Sequence, residues 1–302
     1  NDHGSISKAI TLIENNKSSS KTILSEIHER SEQAFRIGIT GPPGAGKSTI
    51  TGSLIDLVIK NNKSVGVIAV DPTSPFSGGS LLGDRVRMNK YAWDDRVFVR
   101  SMGSNGDLGG LARRSQEVGD VLSASGKDFI IYETVGVGQN EHDVVKAADI
   151  CIVVLVPESG DEIQMMKAGI IEIADLFVIN KSDRPGANRL SAILKNILHH
   201  FSKNEKHEPK VLNMVATEKK SANKLYSEIL LTMQRMMNSQ EINDRRSDRY
   251  RQRVLDITRA NLEKLFWTDK RLDFLKNSSG DTENRPIPPH KMADDLLSSN
   301  DK

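Results

Sequence analysis

Cysteine is almost absent from this chain: Cys151 stands alone among 302 residues. That excludes an internal disulfide framework and any Cys-x-x-Cys metal or redox site, and it points to a reducing compartment. Long apolar runs are also missing. The longest, Ile150 to Val156, is far too short to cross a bilayer, and residues 1–20 are polar with no signal-peptide core. Charge of one sign is lacking too. Lys and Arg total 42 against 40 for Asp and Glu, a formal net charge of +2. Long-range attraction to nucleic acid or to an anionic membrane is therefore not expected, and the chain reads as soluble and intracellular.

What the sequence does contain is a regular alternation. Apolar positions Ile6, Ile10, Ile13, then Ile23, Leu24 and Ile27 suggest two short helices at the start. Short β-rich runs follow at residues 35–40, 64–70, 97–100, 129–133, 150–156, 176–180 and 211–215, separated by helical stretches. Strands alternating with helices predict an α/β fold with a doubly wound, mainly parallel sheet buried on both faces. After about Met237 the strand signal stops. Val254, Ile257, Leu262, Leu265 and Phe266 recur at helical spacing, and a polar, Pro-containing stretch precedes Met292, Leu296 and Leu297. The expected organisation is a helical N-terminal extension (1–34), a central nucleotide-binding domain (35–232) and a helical C-terminal arm (233–302).

Gly41-Pro42-Pro43-Gly44-Ala45-Gly46-Lys47-Ser48 fits G-x-x-x-x-G-K-[ST], follows a strand and opens a helix. This is a P-loop. Its glycines let backbone amides and the positive helix terminus face phosphate, with Lys47 offering an ammonium and Ser48 a ligand for Mg²⁺; Thr49 completes the phosphate-binding stretch. Asp71 and Glu133 stand at strand ends, where the acidic metal partners of a P-loop belong. Glu133-Thr134-Val135-Gly136 replaces the more familiar D-x-x-G, and the Gly136 amide is placed to sense a γ-phosphate.

Asn180-Lys181-Ser182-Asp183 fits N-K-x-D, the guanine-reading signature, again after a buried strand. A carboxylate at Asp183 accepts both the ring imino N–H and the exocyclic amino group of guanine, a pair that adenine lacks. Lys181 is expected along the base plane, with Asn180 bracing the loop. GTP is thus the expected nucleotide. No residue announces itself as the group that positions water; Gln139, Arg85, Arg87, Arg113 and Arg114 are the available side chains. The basic run Arg245, Arg246, Arg249, Arg251 and Arg253 interleaves with Asp244, Asp248 and Asp256. It reads as a solvated or partner-facing helix with i,i+3 and i,i+4 pairs, not as a nucleic-acid site. His199, His200 and His207 read as a polar helix end, and Cys151 as core.

Three further segments narrow the class: Ala69 to Ser74 with Gly78 to Arg85; Glu133 to Gln139; and Gly160-Asp161-Glu162-Ile163-Gln164. Together they resemble the MeaB/ArgK-type GTPases, which in mitochondria include the methylmalonic aciduria type A protein. The resemblance runs from about Gly4 to Ile229 and, more weakly, through Ile287-Pro288-Pro289 and Ala293 to Leu297. It implies a metallochaperone-type GTPase that turns GTP into GDP and phosphate while gating cofactor loading of, and protecting, an adenosylcobalamin-dependent acyl-CoA mutase, usually methylmalonyl-CoA mutase. Adenosylcobalamin belongs to that mutase, and a cobalamin adenosyltransferase is a further implied partner.

By position, the resemblance assigns phosphate and Mg²⁺ to Lys47 and Ser48, and a metal and switch cluster to Asp71, Asp84 and Glu133. Base reading falls to Asn180, Lys181 and Asp183 with the turn Val215-Ala216, where the family usually has Ser-Ala. A partner-sensing loop falls around Asp161, Glu162, Gln164 and Lys167. The C-terminal arm is implied to form a homodimer. The implied setting is bacterial cytoplasm, or the mitochondrial matrix in a eukaryote. Two alternatives share the P-loop class: a metal-insertion GTPase, whose relatives use Cys/His ligands that this chain lacks near the nucleotide site, and a small-molecule kinase, which needs an acceptor pocket.

Overall fold

A computed structural model describes residues 2–15, 17–71, 89–91, 93–103, 108–134, 146–157, 170–201, 208–278 and 287–298. Two helices, α1 (His3–Glu14) and α2 (Ser19–Glu26), precede the central strand β1 (Phe35–Thr40). There follow α3 (Lys47–Lys60), β2 (Val65–Asp71), β3 (Val97–Gly103), α4 (Leu108–Ala124), β4 (Phe129–Thr134), β5 (Ile150–Leu155), α5 (Ile170–Ile173), β6 (Leu176–Ile179), α6 (Ala187–Phe201), β7 (Lys210–Asn213) and α7 (Lys219–Asn238). The described strands form one sheet in the order β3-β2-β4-β1-β5-β6-β7, every neighbouring pair parallel. The doubly wound parallel sheet expected from the sequence is the one observed.

Period-two geometry explains why these strands read as unbroken apolar runs. Ile131 and Val67 join a core shared with Ile50 and Leu54 of α3 and Leu225 and Ile229 of α7. Their chain neighbours Ile130, Tyr132 and Ile68 join the opposite core with Ile6, Ile10 and Ile13 of α1 and Val118 and Leu122 of α4. On the β5–β6 side a third cluster packs Cys151, Val153, Phe177 and Ile179 against Leu190 and Leu194 of α6. Burial, with Asp175 adding to it, pushes the Cys151 thiol well above its usual pKa, so it stays protonated as core.

Helix α1 is thus a structural layer of the sheet. Asp2 caps it, accepting from Gly4 N at 3.1 Å and Ser5 N at 2.8 Å. Glu14 at its far end forms an ion pair with Arg100 of β3, with Arg100 Nε 2.9 Å from Glu14 Oε1. Ile10 is fully buried. Replacing it with alanine is expected to lower stability by about 2–5 kcal/mol, read as an earlier urea midpoint with unchanged slope.

Strand ends differ from the sequence expectation by more than one residue in two places. β3 continues to Gly103 because Ser101, Met102 and Gly103 pair with Ala69, Val70 and Asp71. β7 ends at Asn213, before Val215: Met214 N–H still donates to Ile179 O (2.9 Å), but the chain then turns, Val215 O accepting from Glu218 N (2.9 Å).

The basic run differs more. Arg245 and Arg246 lie near the start of α8 (Glu241–Phe266) and are partly buried; Arg245 makes the expected i,i+4 pair with Glu241 at 2.9 Å, but both also reach off the helix. Arg245 makes a fork on Asp175 at 2.8 and 2.7 Å, and Arg246 one on Asp149 at 3.1 and 2.7 Å. Each aspartate stands just before a strand and also accepts a backbone N–H, Asp175 from Cys151 (2.7 Å) and Asp149 from Arg36 (3.0 Å). Paired this way, the buried carboxylates are stable. Further along α8, Arg251–Asp248 is a local i,i+3 pair of the kind the sequence suggested, and Arg259–Asp256 is another beyond the run.

The chain divides into two compact units, residues 1–246 and 247–302. The second contains the rest of α8, α9 (Asp269–Ser278) and α10 (Pro289–Ser298), with Met292 and Leu296 of α10 buried. Leu262, Leu265, Leu272 and Phe274 are exposed. Arg271 lies over the Phe266 ring, 4.5 Å from its centroid, and donates to Phe266 O at 2.9 Å. No described helix is long and apolar enough to cross a membrane.

Candidate functional site

The order of strands prepares a crevice at the end of β1, because β2 and β4 lie on one side of it and β5, β6 and β7 on the other. In a doubly wound sheet, ligands bind outside the carboxyl ends of strands at such a reversal. The loop leaving β1 there is the glycine-rich one. Gly41 has φ of +144°, and a Cβ on it would lie 2.1 Å from Val154 O, so the loop runs against the backbone of β5. Gly46 has φ of +91°, and a Cβ on it would meet Asn180 Nδ2 at 2.3 Å. Only glycine fits at these two positions.

Helix α3 begins at Lys47, so its amino terminus faces the loop. The Lys47 ammonium is buried and donates to Gly41 O at 2.7 Å and Pro42 O at 2.9 Å. It rests on the same loop whose amides would hold a phosphate. Next to it, Ser48 Oγ donates to Glu133 Oε1 at 2.5 Å. Register explains the meeting: Glu133 lies opposite Ile39 on the neighbouring strand, one step before the P-loop leaves β1. Thr134 Oγ1 donates to Thr40 Oγ1 at 3.0 Å and fixes the two strand ends together. A hydroxyl and a carboxylate oxygen in contact beside a lysine and a helix terminus form a hard-oxygen donor set that fits Mg²⁺.

The turn after β6 is bound to the glycine-rich loop through the Asn180 side chain. Asn180, at the end of β6 and buried, donates from Nδ2 to Ala45 O at 2.7 Å and accepts at Oδ1 from Ala216 N at 3.0 Å. Lys181 adopts φ of +56°, the chain reversing into a turn closed by Arg184 N on Lys181 O at 3.0 Å. Asp183 is exposed on this turn. Gly41 to Thr49, Glu133, Asn180 to Asp183 and Val215-Ala216 thus gather at the carboxyl edge of the sheet.

Asp84, Gly136, Gln139, Asp161, Glu162, Gln164, Lys167, Arg85, Arg87 and His207 lie outside the described residues, as does the side chain of Asp71. Arg113 is on α4 and approaches Glu117 of the same helix at 3.9 Å. Among the described residues, no group of three or more His, Cys, Asp or Glu side chains is placed to hold a metal ion. Sequence reasoning missed Ser53, whose hydroxyl reaches Ala216 O at 3.2 Å. A serine inside an amphipathic helix carries no sequence signal for such a contact.

The model of one protein family, the methylmalonyl-CoA mutase-associated GTPase MeaB, matches residues 6–271. A Pyrococcus horikoshii protein named as a GTPase is 40% identical over 301 residues, covering 98% of this chain and 94% of the relative. GTPase ArgK of Escherichia coli is 36% identical over 239 residues, covering 76% of this chain and 72% of ArgK. The mouse methylmalonic aciduria type A homolog, a mitochondrial protein, is 35% identical over 238 residues, 78% of this chain and 57% of its own. A crystal structure described as an LAO/AO transport system kinase superposes with a TM-score of 0.73 at 26% identity, covering 98% of this chain and 92% of the other.

Proposed function

The chain belongs to the MeaB family of P-loop GTPases, and we propose that it couples Mg²⁺-dependent GTP hydrolysis to the loading and protection of an adenosylcobalamin-dependent acyl-CoA mutase, with methylmalonyl-CoA mutase the leading partner. The observation that carries the nucleotide chemistry is the contact of Ser48 with Glu133 at 2.5 Å beside the buried Lys47.

In this reading, entering phosphates take the amides of residues 41–48, and Lys47 exchanges its two carbonyl acceptors for β- and γ-phosphate oxygens. Ser48 and Glu133 would hold Mg²⁺, with Asp71 and Asp84 completing the acidic set, and the bound ion would supply positive charge against the phosphates. Water attacks the γ-phosphorus in line, the bond to the β–γ bridging oxygen breaks, and GDP and inorganic phosphate leave. Little covalent work is asked of the protein, so positioning and charge carry the rate. The Gly136 amide senses the γ-phosphate, Asp183 takes the two guanine donors, and Lys181 lies along the base.

The loop with Asp161, Glu162, Gln164 and Lys167 meets the mutase, whose own cofactor is adenosylcobalamin. The arm after residue 232 forms a homodimer, and a cobalamin adenosyltransferase is a further partner. The proposed setting is the cytoplasm, or the mitochondrial matrix in a eukaryote.

The test is GTP turnover with and without purified methylmalonyl-CoA mutase, with acceleration by the mutase expected. A small-molecule kinase is the second reading, favoured by the description of the superposed crystal structure. It requires phosphate to reach an acceptor, so stoichiometric release of inorganic phosphate decides against it.

A further inference from the structure

In the turn Val215-Ala216-Thr217-Glu218 neither Val215 nor Ala216 carries a side-chain hydroxyl, yet each of their backbone donors and acceptors is engaged. Val215 N–H donates to Ser221 Oγ at 3.3 Å, and Val215 O accepts from Glu218 N at 2.9 Å. Ala216 N–H donates to Asn180 Oδ1 at 3.0 Å, and Ala216 O accepts from Ser53 Oγ at 3.2 Å. Ser53 shares its single proton with Thr49 O, at 3.0 Å, in its own helix. Ser221 Oγ accepts from Val215 and donates to Glu218 Oε2 at 3.3 Å, so its donor and acceptor capacities are both used.

The contacts close a circuit. From Ala45 O in the phosphate loop the chain of bonds passes through Asn180 to Ala216, then through Ser53 into α3, the helix that begins with Lys47 and Ser48. The Ala216 peptide is thereby held by the P-loop side through two separate paths. Val215 and Ala216 themselves supply no polar side-chain atom.

We infer that Ser53 and Ser221 are positioning residues for guanine recognition: they supply, from α3 and from α7, hydroxyls that hold the backbone of the base-facing turn. Neither touches the phosphate groups. Their effect is on the orientation of the turn, so it appears in base affinity and leaves the phosphate site as it is. The inference rests on the reading of Asn180 to Asp183 and Val215-Ala216 as the guanine pocket.

The experiment is an equilibrium titration of the full chain with GTP, ATP and inorganic tripolyphosphate, for Ser53→Ala, Ser221→Ala, Ser53→Thr and Asp183→Asn. Loss of one hydrogen bond corresponds to about a three- to tenfold change in affinity. The expected result is GTP binding weakened by that factor in each alanine variant, a smaller preference for GTP over ATP, and unchanged tripolyphosphate affinity. Ser53→Thr, which keeps the hydroxyl, restores GTP binding. Unchanged GTP affinity in both alanine variants overturns the inference, as does an equal loss for tripolyphosphate, which marks general loosening of the domain. If Asp183→Asn also leaves GTP binding untouched, the guanine pocket itself is misassigned; if it abolishes GTP binding while the serine variants retain it, only the role of the serines falls.

Discussion

Asp183→Asn is expected to lose GTP and to gain xanthosine triphosphate. Guanine offers two adjacent N–H donors to one carboxylate, whereas an amide presents one acceptor and one donor. Xanthine keeps the ring N–H but carries a carbonyl where guanine has its amino group, which is the complement of the amide. A site built to satisfy such a pair rejects the mismatched partner by as much as about 10⁴-fold, because polar groups are left without partners in the complex. Asp183 is exposed on its turn, so the exchange of carboxylate for amide should leave folding within about 0.5 kcal/mol. Competition titrations with both nucleotides read the switch directly, and GTP affinity equal to that of the unsubstituted chain contradicts the base assignment.

Lys47→Ala is expected to reduce GTP turnover by at least about a hundredfold, the scale of losing one charge-stabilising group at the transition state. The ammonium rests against Gly41 O and Pro42 O, so it is already held within the glycine-rich loop proposed to take the phosphates. Alanine removes the charge and also frees those two carbonyls. Loop damage is separated from lost catalysis by comparing melting temperatures and the binding of guanosine, which lacks phosphates. Turnover within tenfold of the unsubstituted chain places the γ-phosphate elsewhere.

Much of this arrangement is written in local sequence. The sheet is legible because strands buried on both faces are continuously apolar, as in Ile150 to Leu155, and because each is punctuated by a polar or glycine-rich turn. The phosphate loop and the base loop are legible because their chemistry demands fixed spacing. Register then brings Ser48 to Glu133, a contact between residues far apart in the chain that the strand-end rule anticipates.

Long-range polar pairing is where local reading stops. Arg245 and Arg246 lie among acidic residues at helical spacing, which favours neighbours on the same helix. Arg245 does pair with Glu241 four residues back on the same helix, but Arg245 and Arg246 also reach Asp175 and Asp149, buried at the starts of β6 and β5. Nothing in helix periodicity records a partner on another element. The same holds for Ser53, whose contact with Ala216 exists only once α3 and the turn after β7 are packed together. Strand ends show the effect in the backbone: β3 is lengthened by pairing with β2, although Ser101 and Gly103 have weak strand preference.

The link between GTP hydrolysis and the mutase is tested most directly by steady-state phosphate release from GTP, with Lys47→Ala as the blank and an adenosylcobalamin-dependent methylmalonyl-CoA mutase titrated in. The expected result is slow intrinsic release that rises to saturation as mutase is added and is absent from the Lys47→Ala protein at every mutase concentration. Release that depends on Lys47 but is indifferent to mutase contradicts the mutase-gating function while leaving the GTPase site in place.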